Sequence, residues 1–134
     1  MSYVFNSLLG RLVGYRLYSI EFVLDYVQLH FDAFPTADMP ALTCEVNPTV
    51  ITSDRVIAPG QHGWADALVA LAGQSVTATR EGVGAGLSIE LEMGTIRLRP
   101  RADDLVGPEI ATLNAFADGE WMCWRPGEEA FEYL

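Results

Sequence analysis

The sequence predicts a single α+β domain over residues 1–134, mainly antiparallel sheet with one central helix, and three observations carry that reading. Several stretches alternate strictly between apolar and polar residues, the period of a half-buried strand. The clearest helical spacing is in one segment, about residues 62–72. The first thirty residues are also weakly echoed further along the chain, which allows an internal duplication. Leu8, Gly10 and Val13 recur as Leu71, Gly73 and Val76, and Tyr26–Phe31 recurs as Gly86–Leu91.

Each element follows from local pattern. Residues 3–9 suit one or two helical turns stopped by Gly10. A strand is expected over Leu12–Ser19 and another over Phe22–Phe31, bent near Asp25, with Val27, Leu29 and Phe31 on one face. Pro35 and Pro40 mark a loop, Leu42, Cys44 and Val46 a third strand, and Thr49–Ile57 one or two short ones. In the central helix Trp64, Leu68 and Leu71 share a face, and Gly73 ends it. The hairpin from Gly86 to Arg99 is expected to turn at Met93-Gly94. Leu91 then faces Ile96, Ile89 faces Leu98, and Glu90 faces Arg97 as an opposite-charge pair. Gly107-Pro108-Glu109 suits either a helix start or the approach to a strand through Leu113. Trp121–Arg125 and Ala130–Leu134 read as the last two strands, separated by Pro126-Gly127.

Composition limits function. Half of the residues are hydrophobic, enough for a substantial core, and 19% are charged. Eighteen acids against eight bases, all of them arginine, give a formal charge of −10. That balance opposes binding to nucleic acid or to an anionic membrane surface and favours a basic partner. Two cysteines are too few for a disulfide scaffold, and no apolar run reaches spanning length, so a cytoplasmic protein is expected.

Chemistry-bearing motifs are sparse. Gly82-Val83-Gly84-Ala85-Gly86 lacks the spacing and the following helix of a nucleotide-binding loop, and no Gly-x-Ser-x-Gly elbow occurs. His30, Cys44, His62 and Cys123 have none of the paired spacings of a zinc site, so neither metal nor cofactor is expected. Asp25 sits between Leu24 and Tyr26, where a carboxylate is either held by a specific partner or caps a turn. The strongest lead is Trp121-Met122-Cys123-Trp124-Arg125. Both faces of such a strand are apolar, which means burial on both sides or an exposed Met/Trp/Arg patch of interface composition.

The pattern of Gly119, Trp121, Pro126-Gly127-Glu128 and Phe131, after strand starts at Gly10 and Gly73, resembles a family of small, acidic actinobacterial proteins of unknown function. The resemblance covers most of the chain. It implies an α+β cytoplasmic fold and brings no catalytic residue with it.

These readings converge on a non-catalytic protein-binding module, in its sharper form an immunity-type protein that neutralises a basic partner. Trp124, Arg125, Glu128 and Glu129 are the candidate contact residues. One alternative is a small-ligand pocket using Asp25, Tyr15 or His30. Another is a self-associating structural protein, such as a homodimer, in which a second copy covers an apolar strand face.

Overall fold

The computed structural model describes residues 3–134. After a 3-10 helix at Leu9–Leu12 the chain forms β1 (Arg16–Val23), β2 (Tyr26–Asp32), β3 (Ala41–Cys44), β4 (Thr49–Ile51) and β5 (Val56–Ile57). Then come α1 (Trp64–Val69), β6 (Val76–Gly82), β7 (Gly86–Leu91), β8 (Thr95–Leu98), β9 (Ala111–Asn114) and β10 (Met122–Trp124). Short 3-10 turns follow β8 at Ala102–Asp104 and β10 at Glu129–Phe131. The strands form two antiparallel five-stranded sheets, ordered β1-β2-β3-β9-β10 and β5-β4-β8-β7-β6. The inner faces of both sheets contribute to one apolar cluster, which also takes in Leu9 and Leu12 of the first 3-10 helix, Leu68 of α1 and Leu71 of the turn after it.

The internal echo is structural, with a different alignment at its start. Both β1 and β6 carry a bulge, one after Leu17 and the other after Val76, so Leu17 and Val76 are equivalent. The same alignment pairs Gly14 with Gly73, Leu12 with Leu71 and Leu9 with Leu68. The match of Tyr26–Phe31 to Gly86–Leu91 stands, because Leu17 faces Phe31 as Val76 faces Leu91. Where β1 and β6 begin, the two repeats pair about a pseudo-two-fold centred on the Arg16–Ser75 bridge. Gly14 N–H donates to the Val76 carbonyl at 2.8 Å, and its counterpart Gly73 N–H donates to the Leu17 carbonyl at 2.6 Å. Leu17 N–H to Gln74 (2.9 Å) and Val76 N–H to Tyr15 (2.7 Å) form the second symmetric pair.

The repeats are interlaced. β4 and β5 leave the first sheet to extend the second, and β9 and β10 return from the second repeat to complete the first. The crossing connections are residues 45–48 and 99–110, and neither repeat holds a whole sheet.

Several local expectations are corrected. The expected strand break near Asp25 is a full reversal: Leu24 and Asp25 form a turn, so Val23 opposes Tyr26. The helix is shorter than 62–72, because its last turns tighten to 3-10 bonds from Leu71 to Leu68 and from Ala72 to Val69. Residues 111–114 are strand. The expected terminal strand over residues 130–134 is instead the 3-10 turn at Glu129–Phe131. It folds back through Gly127 N–H to the Phe131 carbonyl and seals Ala130 and Phe131 into the core.

The β7–β8 register is slipped by two residues from the expected one. Leu87 faces Leu98, Ile89 faces Ile96, Ser88 faces Arg97 and Glu90 faces Thr95. The turn is Glu92-Met93, closed by Leu91 N–H to the Gly94 carbonyl at 2.8 Å. Gly94 is needed for close approach, since a Cβ there would lie 2.9 Å from Leu71 Cδ2 and 3.0 Å from the Ile51 carbonyl oxygen. A two-residue slip keeps every side chain on its face, so the apolar pattern is identical in both registers. The cross-strand ion pair changes, however: Glu90 binds Arg80 of β6 (Nε–Oε2 3.0 Å), and Arg97 has no ion pair among the described residues.

Candidate functional site

Strand alternation in β10 decides the fate of the two tryptophans. Met122 and Trp124 point inward, while Trp121 and Cys123 point outward. Trp124, expected in the contact patch, is fully buried and belongs to the core. Its indole N–H donates to Glu81 Oε2 at 2.8 Å. Glu81 also accepts from the Tyr3 hydroxyl, at 2.7 and 2.6 Å, and from the Asn6 backbone N–H at 2.8 Å. The carboxylate thereby ties the N-terminal segment and β10 to β6. Burial, with the Glu81 carboxylate beside it, raises the Tyr3 phenol well above its ordinary value.

The exposed member is Trp121, with 62% of its surface open to solvent. It flanks a depression of about 400 Å³ shared with Tyr3, Ser7, Arg11, Asp118 and Glu120. Arg11 is already committed there: its guanidinium lies 4.1 Å from the centre of the Phe116 ring and 3.1 Å from Asp118 Oδ2. The Glu120 backbone N–H and Arg11 hold the Asp118 carboxyl below its usual range. With Arg11 and Asp118 paired, Glu120 leaves the rim acidic beside a large aromatic. The same N-terminal segment exposes Val4 and part of Phe5. Of the other expected contact residues, Arg125 and Glu128 are exposed and Glu129 is half-buried, all beyond the other end of β10.

A second concavity, an open groove of about 520 Å³, lies where the crossing connections meet. Asp25 of the β1–β2 turn and Glu45 of the first connection line it, together with Arg97, Arg99, Arg101 and Asp104 from β8 and the second. Arg99 Nε donates to the Gly84 carbonyl at 2.6 Å. Arg101 donates its backbone N–H to Asp104 Oδ2 at 2.8 Å. Among the described residues, the guanidinium groups of Arg97 and Arg101 have no hydrogen-bond or ion-pair partner.

Asp25, Tyr15 and His30, grouped as pocket candidates from the sequence, are separated. Asp25 reaches the groove. The Tyr15 hydroxyl donates to Asp38 Oδ2 at 2.6 Å, which raises its pKa, and Asp38 Oδ1 accepts the Ala117 N–H at 2.6 Å. His30 Nε2 lies 3.3 Å from Glu21 on the outer face of the first sheet. Cys44 is fully buried, and burial pushes its thiol up to about 12. No group of three metal-ligating side chains occurs among the described residues, and no helix there is long and apolar enough to cross a membrane.

The arginine groove escaped the sequence reading although its signal was present. Arg97-Leu98-Arg99-Pro100-Arg101 alternates cation with apolar residue, placing three cations on one side of a strand and its extension. Comparison of the chain with family models, with curated proteins and with solved structures finds no match.

Proposed function

We propose that this protein is a non-catalytic protein-binding module that engages a basic partner through Trp121, with Asp118 and Glu120 at the rim of the contact, in the manner of an immunity-type protein. The observation that carries the reading is the exposure of Trp121 beside carboxylates, while its neighbour Trp124 is fully enclosed. A tryptophan rimmed by polar groups is the composition of an interface hot spot. The charge of −10 steers a cationic partner toward the molecule and speeds encounter at low salt. The buried faces of both sheets share one apolar core.

The test is capture of the tagged protein's partner, followed by affinity measurement with Trp121→Ala. Loss of a buried aromatic anchor is expected to weaken the complex by about 2 kcal/mol, roughly thirtyfold. Folding stability should move by no more than about 0.5 kcal/mol, as for a surface substitution. A complex that tolerates Trp121→Ala and Glu120→Gln unchanged would refute the assignment.

A further inference from the structure

We propose that the groove between the two crossing connections is a binding site for a small zwitterion, taking its oxyanion on Arg97, Arg99 and Arg101 and its ammonium on Asp25 and Glu45. The site lies apart from the Trp121 surface and does not depend on it.

Three arginines and three acidic residues line the groove, and Arg97 and Arg99 also border the neighbouring depression beside Gly84. Among the described residues none of these arginines is within ion-pair distance of a carboxylate. Elsewhere Arg16 pairs with Asp32 at 2.7 Å and Arg80 with Glu90 at 3.0 Å. The fold is what holds the groove charges apart. The β7–β8 register gives Glu90 to Arg80 and places Arg97 opposite Ser88 on one side and Thr49 on the other, neither of them charged. Arg99 is anchored by its Nε to the Gly84 carbonyl, with Tyr133 5.7 Å from its guanidinium carbon, leaving its terminal nitrogens to donate elsewhere. Asp104 is turned to its own chain by the Arg101 N–H. Asp25 and Glu45 therefore remain as the carboxylates able to face a cation.

Ligand chemistry follows from that arrangement. Guanidinium groups bind carboxylate and phosphate oxygens through paired donors, so either oxyanion satisfies the arginine end. A plain anion would meet Asp25, Glu45 and the field of a chain carrying −10, and a plain cation would meet three arginines. A molecule bearing both charges meets neither penalty. The open groove, about 520 Å³, has room for a small molecule, as do the chain's other surface depressions, so the charges and not the volume carry the assignment.

The experiment is amide and arginine side-chain NMR titration of the full chain with four probes: phosphoethanolamine, β-alanine, inorganic phosphate and ethanolamine. The expected result is saturable shifts at Arg97, Arg99, Arg101 and Glu45 with a zwitterion, bound at least about tenfold tighter than phosphate or ethanolamine. Which of the two zwitterions binds identifies the oxyanion. Arg97→Gln and Glu45→Gln should each weaken that binding by about tenfold, and the exposed Arg101→Gln supplies a variant with the least demand on folding. The proposal is overturned if neither zwitterion saturates, if phosphate alone binds as tightly, or if folded Arg97→Gln and Arg101→Gln bind like the parent. Trp121→Ala should leave these titrations unchanged, so this site and the partner surface stand or fall separately.

Discussion

Glu81 joins three parts of the chain that are far apart in sequence, and removing its carboxylate is the most direct perturbation of the fold. It accepts from the Trp124 indole, the Tyr3 hydroxyl and the Asn6 N–H. In Glu81→Ala all three donors lose their acceptor. Trp124 has no exposed surface, so its N–H is stranded at about 1–3 kcal/mol. Tyr3 and Asn6 are only part-buried and recover water, which leaves about 1 kcal/mol for each lost bond. The expected destabilisation is about 3–5 kcal/mol, a large share of the roughly 5–15 kcal/mol available to a domain. Glu81→Gln keeps one acceptor oxygen and should cost about 1–2 kcal/mol. Urea unfolding followed by far-ultraviolet circular dichroism reads both values without relying on tryptophan emission. A cycle with Trp124→Phe isolates the indole bond, with a coupling of about 1–2 kcal/mol expected. The reasoning fails if Glu81→Ala costs under about 1 kcal/mol, or if the cycle shows no coupling.

Three further outcomes follow from the same geometry. A Cβ at Gly86 would run into the Leu98 carbonyl oxygen, whereas one at Gly84 meets open space, and both glycines have positive φ. Gly84→Ala should therefore cost about 1 kcal/mol, and Gly86→Ala clearly more than about 2, in parallel urea titrations. Tyr3 and Tyr15 have raised pKa values in the fold, so the unfolded chain loses those protons first. Their contribution is complete below pH 10 and is lost as pH rises through the folded values, which unfolding midpoints measured on either side of pH 10 should show as an alkaline decline. An alkaline decline unchanged by Tyr3→Phe and Tyr15→Phe would exclude these two groups as its source. Thiol labelling should modify the half-buried Cys123 first and reach Cys44 only on unfolding, since Cys44 is enclosed and its thiol is pushed up to about 12. Mass spectrometry of partially labelled protein settles the order.

Much of the architecture was legible in the chain because local periodicity encodes it. The alternation over Tyr26–Phe31 and Gly86–Leu91 marks strands with one buried face, and Gly73 marks a helix end, whatever surrounds them. The repeat was visible, but its alignment was misplaced over residues 8–13. Bulges after Leu17 and Val76 define the equivalence, and a bulge is seen only against its partner strand. The β7–β8 register was also beyond local reading, since both registers satisfy the same apolar pattern. Gly94 lying under Leu71 selects the observed one, and the free state of Arg97 follows from it.

The sequence by itself determined the class of fold, the alternating strands at Tyr26–Phe31 and Gly86–Leu91, the presence of the central helix, the surplus of acid and the apolar character of residues 121–124. Those properties depend on residue type and spacing within a few positions. Only the tertiary structure decided that Trp124 is enclosed and Trp121 exposed, that β4–β5 and β9–β10 change sheets, and that arginines and carboxylates share a groove unpaired. Each of these is a relation between segments distant along the chain, set by the competition of all strands for one core, and no short-range pattern records it.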